Sequence, residues 1–90
     1  MAKNSPLTPV ELGTHCLGYL AEHPGELHEF MVMTGTSPDA LQKAAEGGGL
    51  SAGLIDYFAS NESLLIAFCS NRGLSPEAFM RVWAQLNPAG

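Results

Sequence analysis

The chain has 90 residues and a formal net charge of -5, from nine acidic residues against four basic ones. A chain of this length forms one domain, and a composition of 46% apolar and 14% charged residues excludes an intrinsically disordered chain. The scattered bases argue against nucleic-acid and anionic-membrane partners, because phosphate contacts need clustered Lys and Arg. A small globule with so few charges must either expose apolar side chains or cover them with a partner.

The start of the folded domain is marked by a helix cap. We expect residues 1–7 to form a flexible N-terminal tail and residues 8–87 to form a single helical domain. Thr8 and Glu11 stand at the spacing of a capping box, with Pro9 at the first helical position. The tail has no apolar segment typical of a secretory signal, and no apolar run reaches the ~20 residues that a membrane span needs. We therefore expect a cytoplasmic protein.

The bounds of the later helices follow from similar local signals. His23 precedes Pro24, and a residue before proline avoids the α conformation, so the first helix is predicted to end near Glu22. Ser60–Glu62 predicts the end of the fourth helix and the cap of the fifth. Asn87 precedes another proline and is predicted to end the sixth helix.

A helix–corner–helix pattern occurs twice, in Phe30–Leu41 and in Phe68–Phe79, at a constant offset in residue number. In each copy a glycine ends one helix, because glycine adopts positive φ without a steric penalty. A serine caps the next helix, a proline takes its first position, and an acidic residue faces the positive end of its dipole. We therefore predict two similar units that pack face to face, completed by the first and fourth helices. The matched pairs are Gly35 and Gly73, Ser37 and Ser75, Pro38 and Pro76, Asp39 and Glu77, and Ala40 and Ala78.

Together these signals predict the fold class. We expect an all-α protein, a compact bundle of about six short helices with two similar helix–corner–helix units. Gly47–Gly49 is expected to be a flexible link before the fourth helix. The predicted core consists of large apolar residues on the helix stripes: Leu17, Leu20, Leu27, Phe30, Leu54, Phe58, Leu65, Phe68, Phe79 and Trp83.

Five stretches of the chain form a set that is specific when taken together. They are Leu17–Phe30, Thr34–Leu41, Ile55–Phe58, Glu62–Cys69 and Gly73–Glu77. The set resembles a small bacterial family of uncharacterised all-helical proteins, a domain of unknown function. The resemblance implies a small helical fold, and it implies no catalytic residue, substrate or cofactor.

Metal binding is a hypothesis that the residue spacing does not favour. His15 and Cys16 are adjacent and diverge by about 100° on a helix, and His23 and His28 also miss a common face. We predict no metal site and no cofactor. Cys16 and Cys69 are expected to be buried, reduced thiols, His23 to meet free carbonyls at a helix end, and His28 to face solvent. The acidic residues considered as further ligands are Glu22, Glu26 and Glu29.

We do not expect the chain to be an enzyme. Binding of nucleic acid through a helix-turn-helix is an alternative function. Both cysteines are predicted in mid-helix, away from the positions that activate thiols. The repeated corner has a helix-turn-helix interpretation, but the helix after each corner begins with Asp39 or Glu77. The helix after each corner carries only one base, Lys43 in the first and Arg81 in the second. One base per helix is too few for strong phosphate binding. A helix-turn-helix-like nucleic-acid binder and a small metal-binding protein stay as alternatives.

Protein–protein interaction is the function that the sequence favours. Six short helices cannot hide every large apolar side chain. Tyr19, Met33 and Ile66 lie off the main stripes of their helices and are predicted to form an exposed partner-binding surface. The predicted partner is an unidentified protein or a second copy of the chain in a homodimer.

Overall fold

The computed structural model describes residues 7–47 and 50–88, and within these ranges every regular element is a helix. The all-α prediction and the count of about six helices are therefore confirmed. No helix among the described residues is long and apolar enough to cross a membrane. The helices are α1 (Pro9–Glu22), α2 (Pro24–Thr34), α3 (Pro38–Gly47), α4 (Ser51–Ala59), α5 (Glu62–Arg72) and α6 (Pro76–Leu86).

The caps form as the sequence predicts. The Thr8 hydroxyl accepts a hydrogen bond from the Glu11 amide at 3.1 Å, and the Glu11 carboxylate accepts one from the Thr8 amide at 3.1 Å. Gly35 and Gly73 have φ of 71° and 69°, in the left-handed region that glycine adopts without strain. In the first corner the Ser37 hydroxyl accepts a hydrogen bond from the Ala40 amide at 3.1 Å. In the second, the Ser75 hydroxyl accepts one from the Ala78 amide at 3.0 Å.

The repeat extends beyond the two corners. The offset that relates Gly35 to Gly73 also relates both ends of α2 to both ends of α5, and the start of α3 to the start of α6. Phe30 and Phe68 are buried at matching positions, and so are Leu41 and Phe79. Helix α2 packs on α1 as α5 packs on α4. The chain therefore consists of two similar three-helix halves, α1–α3 and α4–α6.

The two halves meet mainly through α1 and α4, so the predicted face-to-face packing of the corner units is wrong. Helix α6 packs against α1, α4 and α5. At the centre, a Cβ atom added to Gly13 would lie 2.8 Å from Cα of Ser51, which shows how closely the two backbones approach. Helix α1 contacts α2, α4, α5 and α6, and α4 contacts α1, α5 and α6, so these two helices lie in the middle of the molecule.

The core contains seven of the ten residues predicted for it. Leu17, Leu27 and Trp83 are only partly buried and pack against the core from its edge. Trp83 stays at the edge because its indole N–H donates a hydrogen bond to the Asp56 carboxylate at 3.1 Å. The buried apolar side chains that were not in the predicted core are those of Leu12, Cys16, Tyr19, Leu41, Ile55, Leu64, Cys69 and Val82.

The predicted flexible segments fall mostly outside the described residues. This holds for residues 1–6 of the tail and for residues 48 and 49 of the glycine link. Leu7 was assigned to the tail, but it is partly buried against the core, in a small surface pocket with Val82 of α6. Gly47 is the last residue of α3.

Candidate partner-binding groove

Tyr19 does not belong to a surface, and the prediction that it is exposed is wrong. Its exposed fraction is 5%, and its ring stacks on His23 at a centroid distance of 4.1 Å. The ring also meets Phe68 edge-on at 5.6 Å. Because α1 lies at the centre of the bundle, the side of the helix that carries Tyr19 faces α5 instead of solvent.

Met33 and Ile66 are exposed as predicted, with exposed fractions of 67% and 52%. Met33 lines a groove with a volume of about 440 Å³ between α2 and the junction of α4 and α5. Ile66 lies one helical turn after Glu62, which lines the same groove at the start of α5. The structure thus places two of the three predicted residues at or beside one concave surface, which we call the α2/α5 groove.

The shape of the α2/α5 groove follows from the sharp junction between α4 and α5. Helix α4 ends at Ala59, and the Asn61 side chain caps α5 by accepting the Leu64 amide at 3.4 Å. Tyr57, in the last turn of α4, forms part of the groove wall, and its ring meets Phe30 edge-on at 5.0 Å. Packing against the core therefore holds the tyrosine in place while one side of it stays open to the groove.

Carboxylates dominate the charge of the groove. Glu29 and Glu62 line it, and a shallower depression that shares Glu29 and Asn61 adds Glu22 and Glu26. Burial raises the pKa of Tyr57, and the nearby charges of Glu29 and Glu26 raise it further. The α2/α5 groove is therefore electronegative next to the apolar side chain of Met33.

The thiols and imidazoles take structural positions. Cys16 and Cys69 are free and buried, as predicted, and burial raises the pKa of Cys16 to about 12 and raises that of Cys69. The His23 ring contacts the Tyr19 carbonyl through Nδ1 at 2.7 Å, which confirms its predicted place at a helix end, and His28 is exposed. Within residues 7–47 and 50–88, no group of three or more His, Cys, Asp or Glu could hold a metal ion.

Sequence reasoning missed Tyr57, Glu29 and Glu62 as parts of a concave surface. The signal that could have found them is the constant offset of the repeat, which relates Tyr57 to Tyr19 and therefore predicts similar surroundings for the two rings. The edge-on contacts of Tyr19 with Phe68 and of Tyr57 with Phe30 are indeed equivalent. What differs between the halves is how much of each tyrosine is covered.

The fold and the groove define a small all-α domain built from two similar halves, with one open, acidic and partly apolar surface. Residues 8–89 match a family described as protein of unknown function (DUF3572), and the chain belongs to this family. The resemblance seen in the sequence is therefore confirmed as a domain of unknown function. Neither the search of curated proteins nor the search of solved structures gives a match.

Proposed function

We propose that this protein is a non-enzymatic interaction module of the cytoplasm and that the α2/α5 groove binds its partner. The observation that carries the proposal is the exposure of Met33 at the wall of a groove of about 440 Å³. Methionine is flexible and polarizable, so it adapts to the shape of a partner. Covering the exposed two thirds of this residue would contribute about 1–2 kcal/mol.

The chemistry of the groove favours binding over catalysis. Its titratable groups are the carboxylates of Glu29 and Glu62 and the phenol of Tyr57; a phenol is protonated at neutral pH, and burial raises the pKa of this one further. The thiols of Cys16 and Cys69 are in the core, with exposed fractions of 0% and 2%. A thiol must be ionised and accessible to act as a nucleophile.

Site-specific photo-crosslinking tests this proposal. A photoreactive amino acid is placed at Met33, at Ile66, or at Val32, in the cells that produce the protein. Val32 is a matched control because it is next to Met33, is 63% exposed, and points about 100° away around the same helix. We expect an adduct with one defined protein from positions 33 and 66 and not from position 32.

The outcomes separate the forms that the function can take. An adduct of twice the chain mass from position 33, with a matching dimer in sedimentation, would identify a second copy as the partner. The same yield from position 32 as from position 33, or no adduct at 33 and 66, would overturn the proposal.

A further inference from the structure

We infer that the α2/α5 groove takes an arginine from its partner, presented on a segment that also carries an apolar side chain to cover Met33. This inference rests on the proposed function and adds the chemistry of the occupant. It comes from comparing the groove with the equivalent place in the other half of the molecule, where the chain supplies an arginine of its own.

Each residue of the groove has a counterpart in the other half of the chain, at the constant difference in residue number that defines the repeat. These counterparts form the equivalent place. Thr34, Tyr57 and Ser60 line the groove, and their counterparts in the other half are Arg72, Tyr19 and Glu22. We call this second place the closed site. The remaining pairs are Asn61 with His23, Glu29 with Ala67, Met33 with Asn71, Glu62 with Pro24 and Ser63 with Gly25.

Arg72 occupies the closed site. Its guanidinium forms an ion pair with Glu22 at 3.3 Å, and a Cβ atom added to Gly18 would lie 3.3 Å from the same nitrogen. Only 22% of the Arg72 side chain is exposed, and its Nε atom is buried. A guanidinium from the last turn of α5 therefore lies along α1, and the neighbouring Tyr19 is buried.

The α2/α5 groove has no such residue. Thr34 stands at the end of α2 where α5 carries Arg72, and its short side chain bonds back to the Phe30 carbonyl at 2.7 Å. Tyr57 is less buried than Tyr19, whose ring is also covered by His23 where the groove has Asn61. The groove lacks both members of this ion pair, because Ser60 stands where α1 carries Glu22, but it has carboxylates of its own in Glu29 and Glu62. A cation supplied from outside can pair with them.

The charge of the groove supports the same occupant. Glu26 and Glu29 are one turn apart on α2, and Glu62 faces them from α5. Among the described residues the ion pair of Arg72 with Glu22 is the only one, so these three carboxylates are not neutralised by a neighbouring base. The N-termini of α2 and α5 oppose them with about half a charge each, which leaves the groove negative. After the larger effect of burial, the charges of Glu29 and Glu26 also raise the pKa of Tyr57.

An arginine suits the groove better than the other cations or partners. Its planar guanidinium can pair with a carboxylate and stack on the Tyr57 ring at the same time, whereas a lysine offers a single point charge. A nucleic acid or another polyanion would meet carboxylates of its own sign. A second copy brings a net charge of -5, which makes it a poorer electrostatic match.

Peptide titration tests the inference. The probe is a short synthetic helix with arginines on both sides of a leucine, and the controls replace its arginines by glutamine or by glutamate. Each peptide is added to ¹⁵N-labelled protein while amide shifts are followed. We expect the arginine peptide to shift the amides of Met33, Tyr57 and Asn61 and to bind about tenfold tighter than the glutamine peptide.

A self-filling variant makes the test specific. Thr34→Arg together with Ser60→Glu copies Arg72 and Glu22 into the α2/α5 groove. We expect it to abolish binding of the arginine peptide. Val32→Arg with Gln85→Glu also adds one arginine and one glutamate, at exposed positions outside the groove, and should weaken binding less than twofold. Equal loss in both variants, or equal affinity of the glutamine and arginine peptides, would overturn the inference. If crosslinking at Met33 captures a partner but these peptide results are negative, the interaction function stands and the arginine chemistry falls.

Discussion

Gly13 determines how closely α1 can approach α4. A Cβ atom at this position would lie 2.8 Å from Cα of Ser51 and closer still to the Ser51 hydroxyl, and the Cα atom cannot move without its helix. We expect Gly13→Ala to lower the free energy of unfolding by about 1–3 kcal/mol, because the central helices must separate. Urea denaturation followed by circular dichroism measures this change.

Gly53 provides the matched control. It lies within α4, and a Cβ atom there would have nothing within 4 Å. Gly53→Ala should leave the protein as stable as before or raise its stability by up to about 1 kcal/mol, since alanine favours helix. A Gly13→Ala variant as stable as Gly53→Ala would contradict the close approach of α1 and α4.

Cys16 should make the stability depend on alkaline pH. Burial raises its pKa from 9.0 to about 12 in the folded chain, while the unfolded thiol ionises near its ordinary value. The folded state therefore binds more protons between these values, and stability falls as pH rises. Between pH 8 and pH 10 this thiol alone should remove about 1.4 kcal/mol from the free energy of unfolding.

Cys16→Ala isolates this effect. The cavity it creates lowers the free energy of unfolding equally at every pH, so any change in the slope of stability against pH comes from the loss of the thiol. We expect stability to fall less steeply from pH 8 to pH 10 in the variant than in the wild type. Tyr57 and Cys69 contribute in the same direction in both proteins, because burial raises the pKa of each. Parallel pH profiles would show that Cys16 titrates normally in the folded chain.

At the scale of elements, the two corners are alike and the helices that follow them are not. Helix α6 buries Phe79 and Val82 and packs on three other helices, whereas α3 adds Leu41 to the described core. An alanine at either left-handed glycine costs about 1–2 kcal/mol in backbone strain. The consequences of that strain should therefore differ between the halves.

We expect Gly73→Ala to lower global stability and Gly35→Ala mainly to release α3. Amide hydrogen exchange distinguishes these results: Gly35→Ala should speed exchange in α3 with little change in the core helices, because α3 can detach while the rest stays folded. Gly25→Ala, at a glycine with open space and ordinary φ, controls for adding a methyl group. Uniformly faster exchange in the Gly35→Ala variant would show that α3 is as firmly docked as α6.

The helix bounds could be predicted because each is specified by a few neighbouring residues. Thr8, Gly35 and Asn61 act within one turn of the helix end that they define. The burial of Tyr19 was missed because the buried stripe of α1 includes Cys16, Tyr19 and Leu20, whereas the predicted stripe was centred closer to Leu17, which is only partly buried. Which side of the stripe is covered depends on the neighbouring helices, and the sequence of α1 alone does not specify them.

At the scale of the whole molecule, the repeat was visible in the sequence at the corners but not in its full extent. The first and fourth helices differ in length and in most residues, which concealed their equivalence. The groove is open partly because α2 has Thr34 at the position where α5 has Arg72. This difference can be recognised only when α2 and α5 are superposed. Exposure of Met33 was predictable from its helix alone, and the concave surface beside it was not.

A two-fold protein would ordinarily offer two equivalent attachment points and could link partners into chains. Here Arg72 and Glu22 occupy one of them from within, and the α2/α5 groove is left as the other. If the groove binds a partner as proposed, that binding would be monovalent, with a stoichiometry of one to one, and each molecule would cap a single target instead of linking two.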